Sequence, residues 1–200
     1  MRVQVAVRPW RDSDMAAALA VLRATHEQDA YPVLWPDEPS EFAAPPDVLE
    51  AWAAVGPDDN FVGHVCTRPP HGPPLAVWET GTGRRAEDLG VVSRLYVAPA
   101  ARRLGVARLL LATAVDAIRR RGGLPVLDVL TRYQPAVALY ETSGWSHLGS
   151  FVWPMPDGSE EPSYAYALLD GGAVWASRHL HRGPDEDIGG LTKNTHRTPP

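Results

Sequence analysis

Residues 98–107 read A-P-A-A-R-R-L-G-V-A and lie between a β-branched run and a long amphipathic stretch. Gly105 and Ala107 carry almost no side chain, so an anion can come close to the main chain there. A helix starting at this glycine presents unpaired N–H groups and the positive end of its dipole. Arg102, Arg103 and Arg108 add charge of the kind that holds phosphate. The chemistry on offer is phosphate binding. The turn is neither the GxxxxGK[ST] loop nor the GxGxxG fingerprint, which disfavours nucleoside triphosphates and dinucleotides. Short basic glycine turns at helix starts are common, so alone it is a weak signal.

A second stretch, Q-P-A-V-A-L-Y-E-T-S-G-W (134–145), puts Tyr140 on one face of a short helix with Ala136 and Leu139. A phenol held against a reacting group can donate a proton. The plain alternative is a core tyrosine whose hydroxyl finds a main-chain partner. Elsewhere reactive side chains are scarce. Cys66 reads as a small buried hydrophobe with no histidine set up to activate it. His179 and His181 lack further ligands at sensible spacing, so no metal site is expected. Without a nucleophile constellation, no covalent enzyme intermediate is required.

These groups need elements to position them. Residues 3–7 alternate as a short strand, followed by a helix that Asp12 or Ser13 can cap and that ends near Thr25. Residues 26–46 contain Pro32, Pro36, Pro39, Pro45 and Pro46, which exclude a long regular element. That loop carries Tyr31, Trp35 and Phe42 beside Asp29, Asp37, Glu38 and Glu41. It reads equally as plain surface or as a cleft wall favouring a cationic or apolar ligand. Residues 51–55 and 61–67 form a hairpin around Gly56-Pro57-Asp58-Asp59-Asn60. Residues 68–89 read as a long connection with a short apolar stretch at 75–78. The strand at 91–97 is the strongest by composition. The helix over 105–121 has an apolar stripe at Val106, Leu109, Leu110, Thr113, Ala114, Ala117 and Ile118, ending in Arg119–Arg121 and Gly122-Gly123. A strand at 125–130, the helix carrying Tyr140, and strands at 145–153 and 164–169 complete the pattern.

Composition sets the frame. The chain has 200 residues, net charge −5, 44% hydrophobic and 22% charged residues, and one cysteine. This fits a single domain plus a tail and argues against nucleic acid as a partner. No apolar run is long enough for a membrane span, and the charged start is no secretory signal, so a cytoplasmic location is expected. Arginine supplies nearly all the basic residues, Lys193 being the only lysine. With abundant Ala, Pro and Gly, this reads as the codon bias of a GC-rich, bacterial genome.

Strand R-L-Y-V (94–97), R-R-L-G-V-A (102–107), a long helix, a strand and A-x-x-L-Y-E-x-x-G-W (136–145) together resemble the GNAT superfamily of acyl-CoA-dependent N-acetyltransferases. Arg102, Gly105 and Ala107 match its [RQ]-x-x-G-x-[GA] coenzyme motif, and the resemblance runs over roughly residues 3 to 169. It implies an α/β domain over 1–169, with a mixed, mostly antiparallel sheet of six or seven strands flanked by about four helices. Residues 170–200 form a tail, mobile toward its end. It implies acetyl-CoA as cosubstrate, entering where strands 91–97 and 125–130 splay. Leu95, Tyr96 and Val97 would bind the pantetheine arm through the main chain. Arg102 and the N–H groups of Arg103, Leu104, Gly105, Val106, Ala107 and Arg108 would hold the pyrophosphate. Gln134, where the family commonly has asparagine, would touch the pantetheine arm, and Tyr140 would act as general acid to the leaving thiolate. An N–H near Leu95 would stabilise the oxyanion. The family's acidic base is replaced by Val92 or Ser93, which leaves Glu79, Asp88, His64 or solvent. The expected acceptor is a small-molecule amine, and the acidic aromatic loop suggests a cationic one. The missing base keeps a non-catalytic acyl-CoA sensor in play. Family members are often homodimers.

Overall fold

A computed structural model describes residues 5–169. The start of the first strand and the tail 170–200, with His179 and His181, lie outside the described residues. Seven strands form one sheet: β1 (Ala6–Pro9), β2 (Glu50–Val55), β3 (Phe61–Arg68), β4 (Leu89–Val97), β5 (Leu124–Leu130), β6 (Ser146–Pro154) and β7 (Glu160–Ala167). Five helices accompany them: α1 (Met15–Asp29), α2 (Pro39–Ala43), α3 (Leu75–Thr82), α4 (Val106–Arg120) and α5 (Gln134–Thr142). The strand order is β1-β2-β3-β4-β5-β7-β6. Every pair is antiparallel except β4 with β5. The expected mixed, mostly antiparallel α/β sheet is therefore present with seven strands. The parallel pair needs a crossover, and α4 supplies it.

That pair is short. β4 and β5 match only at Leu89–Leu124, Gly90–Pro125 and Val91–Val126. Beyond Val91, β4 pairs with β3 alone and β5 with β7, so a wedge opens between them. A bulge lies in the diverging part of β4. His64 faces Tyr96 and Cys66 faces Ser93, so two steps along β3 span three along β4. Arg94 takes φ +54°, in the left-handed region. Bulges bend and twist the strand that carries them.

α4 covers one side of the wedge. Val106, Leu110, Leu111, Ala114, Val115, Ala117 and Ile118 are buried. The helix is turned toward its Leu111–Val115 flank, leaving Leu109, expected in the stripe, exposed. Its approach to the sheet requires Gly90, because a Cβ there would lie 2.6 Å from Ile118 Cγ2.

Two further expectations are corrected. Residues 68–89 contain the helix α3, closed by Gly83 at φ +66°, with Trp78 buried and its Nε1–H donating to the Leu127 carbonyl at 3.2 Å. Eight residues are too few for a helical period to stand out. α1 starts at Met15 and runs to Asp29. Neither Asp12 nor Ser13 caps it. Asp14 accepts the Arg11 N–H at 2.8 Å and two Arg8 guanidinium bonds at 2.8 Å. The Arg8 cation holds the Asp14 carboxyl below the usual carboxylate range.

Candidate active site

The bulge in β4 fixes the floor of the wedge. His64 is fully buried and its Nδ1–H donates to the Arg94 carbonyl at 3.1 Å. That bond engages the Arg94 carbonyl at the bulge, where pairing of β4 with β5 has ended. Burial pushes His64 down to about 4, so the ring is neutral near pH 7. Its Nε2 and the Tyr96 hydroxyl are buried without a hydrogen-bond partner among the described residues. His64 spends its proton on the main chain and has no exposed face with which to serve as a base. Tyr96 and Val97 are buried, and Leu95 is half-buried.

The glycine turn expected to hold phosphate follows β4. Arg103 at φ +61° and Gly105 at φ +83° swing the chain so that α4 starts at Val106. The Leu109 N–H donates to the Gly105 carbonyl at 3.1 Å, so the Val106 and Ala107 amides stand ahead of this bond. A Cβ on Gly105 would meet nothing within 4 Å. The space above the glycine is open, as a phosphate cradle requires. Arg103, Leu104 and Arg108 are exposed beside it. Arg102 differs: its guanidinium pairs with Asp29 at the end of α1, and both are half-exposed.

α5 supplies Tyr140. Its ring is buried, 6.0 Å from Trp145 and 6.1 Å from Tyr166. No described residue hydrogen-bonds its hydroxyl, whereas the Tyr166 hydroxyl donates to Glu141 Oε1 at 3.2 Å. Burial lifts the Tyr140 phenol well above its ordinary range, so it is protonated at neutral pH. Gln134 is exposed, with Nε2–H donating to the Thr131 carbonyl at 2.7 Å. Tyr133, which the sequence did not single out, reaches across the site. Its hydroxyl donates to the Ala30 carbonyl at 2.6 Å, tying α5 to the end of α1.

The opposite wall comes from the proline-rich loop. Tyr31 and Phe42 meet edge to face at 5.9 Å, and Tyr31 lies 5.5 Å from Tyr133. The Arg94 guanidinium sits 3.9 Å over the Phe42 ring, and its Nε–H donates to the Phe42 carbonyl at 3.0 Å. Asp37, Glu38 and Glu41 face solvent, and Asp29 is bound to Arg102. The loop thus lends the cleft aromatic rings and steadies a cation. The acidic residues expected to favour a cationic ligand are thus exposed at Asp37, Glu38 and Glu41 and paired at Asp29.

Asp128 is the carboxylate the sequence reading missed. It sits mid-β5 within P-V-L-D-V-L, and its Oδ2 accepts the Trp153 indole N–H at 2.9 Å. Burial pushes its pKa above the usual carboxylate range, opposed by that bond and by the Arg94 and Arg68 cations. The signal available was an acidic residue inside an otherwise apolar buried strand, which rarely occurs without a role. The other expected bases lie elsewhere. Glu79 accepts the Ala86 N–H at 3.0 Å, and Asp88 lines a hollow with Arg84 and Arg119 beside the start of β5. Burial pushes the Cys66 thiol up to about 12, which makes it inert.

The family model described as Acetyltransferase (GNAT) family matches residues 18–145. No curated protein sequence matches the chain. Several solved structures share its fold. An acetyltransferase of the GNAT family from Staphylococcus aureus Mu50 superposes with TM-score 0.62 at 12% identity, covering 83% of this chain and all of that one. The Escherichia coli ribosomal-protein-S18-alanine N-acetyltransferase gives 0.59 at 19% identity, over 82% of this chain and 93% of that one. Arabidopsis thaliana NAA60 in complex with acetyl-CoA gives 0.61 at 18%, over 82% and 97%. With a family model covering well over half its length, the chain belongs to the GNAT acetyltransferase family, whose acyl donor is acetyl-CoA.

Proposed function

We propose that the protein catalyses direct transfer of the acetyl group of acetyl-CoA to the amine of a small molecule, in the cytoplasm. The observation that carries this is the wedge itself, bordered by the bulge of β4, the open space at Gly105 and a Tyr140 hydroxyl with no partner among the described residues. The Val106 and Ala107 amides and the dipole of α4 hold the pyrophosphate. The exposed Arg103 side chain adds charge, while Arg102 braces the turn against α1. The main chain of Leu95 and Val97 lines the pantetheine path.

The chemistry needs three services. Asp128 takes a proton from the acceptor ammonium, and a carboxyl with a raised pKa is a stronger base than an exposed one. The Leu95 N–H donates to the carbonyl oxygen as it becomes an oxyanion. Tyr140 donates to the sulfur as the C–S bond breaks. The C–N bond forms on the same carbonyl carbon, and no enzyme atom is acylated. The case for a non-catalytic acyl-CoA sensor rests on the missing acid of β4, and the carboxylate of Asp128 on the neighbouring strand favours the catalytic reading over it.

The test pairs CoA-dependent thermal stabilisation with thiol release from acetyl-CoA against a panel of amines. Stabilisation with thiol release on small amines is the expected result. Stabilisation without turnover on any amine returns the sensor, and turnover only on peptide N-termini overturns the small-molecule acceptor.

A further inference from the structure

The acceptor side of the wedge holds two opposite charges that do not neutralise each other. Arg94 rises from the bulge, steadied through Nε and the face of Phe42. Among the described residues no carboxylate forms an ion pair with it, and the Tyr31 hydroxyl is the side-chain polar group beside it. Asp128 spends Oδ2 on Trp153 and leaves Oδ1 without a described partner. The two groups feel each other's charge yet form no ion pair within 4 Å. Both are half-buried, and the aromatic rings of Tyr31 and Phe42 stand beside them. A cation and an anion kept apart across an accessible cleft suit a ligand carrying both charges.

We infer that the acceptor is a small amine bearing a carboxylate close to its nitrogen, an amino acid in chemical class, and that Arg94 determines this specificity. The inference rests on the acetyl-transfer reading above. The planar guanidinium offers its terminal N–H pair as a fork to the carboxylate. The ammonium meets Asp128 Oδ1, which accepts the proton that the nitrogen must lose. The nitrogen then attacks the thioester carbonyl, the C–N bond forms, the C–S bond breaks, and N-acetylated acid and CoA thiol leave. The tether between carboxylate and amine fixes the distance of the nucleophile from the thioester. A peptide N-terminus puts an uncharged carbonyl where Arg94 seeks an anion.

The experiment compares a set of amino acids with their carboxamides, their decarboxylated amines and short peptides of the same first residue. Thiol release gives kcat/KM, and calorimetric titration onto the CoA-loaded protein gives affinity. The acid is expected to exceed its amide by about 10- to 100-fold, the usual worth of a charge-assisted pair. Arg94→Gln should bring that ratio near one. Arg94→Lys keeps the charge over Phe42 but loses the fork, and should fall between. Melting curves confirm that both variants fold. Amides, amines or peptides used as well as the acids overturn the inference while acetyl transfer stands. If no acceptor in the set brings about thiol release, the transfer reading fails, and the titration still decides: amino-acid binding lost in Arg94→Gln supports the site, and no binding overturns it.

Discussion

Replacing Gly105 by alanine separates coenzyme binding from folding. At φ +83° an L side chain is strained by about 1–2 kcal/mol, partly offset by the lower entropy of the unfolded chain. The added Cβ meets no protein atom within 4 Å, so no packing cost follows. The net loss is about 1 kcal/mol, which lowers Tm by about 2–4 °C in a chain of this size. Gly122 is a built-in control, with φ +79° and the same empty surroundings at the far end of α4. Gly105→Ala and Gly122→Ala should melt alike. Only Gly105→Ala puts a methyl group where the phosphates must approach the amides. Its CoA affinity should fall at least about tenfold, equivalent to about 1.4 kcal/mol. Calorimetric CoA titration of both variants is the assay. Equal CoA affinities at equal melting temperatures would refute the cradle.

Tyr140→Phe should lower kcat by about 10²- to 10⁴-fold with little change in CoA affinity or melting, because the hydroxyl bonds no described residue; unchanged kcat removes it from the mechanism. Asp128→Asn should slow turnover and abolish the acid limb of the kcat/KM profile, which in the parent lies above the usual carboxylate range; a limb that survives assigns it elsewhere. His64 is neutral in the fold down to about pH 4 but titrates near 6.5 when unfolded, so the unfolded chain binds more protons between these values. Stability should then fall as pH drops from about 6.5 to about 4, by about 3 kcal/mol in all, and urea titrations of His64→Gln should lack that slope. Gly90→Ala should cost about 1–3 kcal/mol by overpacking against Ile118 Cγ2 and Cγ1, and should cost less in an Ile118→Ala background, which lacks both atoms; denaturant midpoints of the single and double variants check this.

The elements that declared themselves have strong local patterns. The run 91–97, the α4 stripe and the proline-opened α5 each follow from side-chain spacing and breakers. α3 stayed hidden because its eight residues sit among prolines and glycines, and its one deep anchor, Trp78, makes its bond to Leu127, 49 residues away. The site divides the same way. Gly105 and Tyr140 can be proposed from sequence because their motifs are contiguous. Asp128 and Arg94 cannot, because their significance lies in facing one cleft from separate strands. The exposure of Glu38 and Glu41, at and just before a five-residue helix that packs on α1, is encoded by no local pattern.

The three-residue match between β4 and β5 has a consequence for the protein without its donor. Past Val91 two adjacent strands present main-chain edges to a gap, and such edges recruit extended polypeptide. CoA's pantetheine arm carries amides of its own, so a donor bound in that gap would extend the sheet there. The empty protein is therefore a natural acceptor for β-strand addition. A short extended peptide matched to that gap would compete with CoA, and storage without CoA should favour self-association that the cofactor reverses.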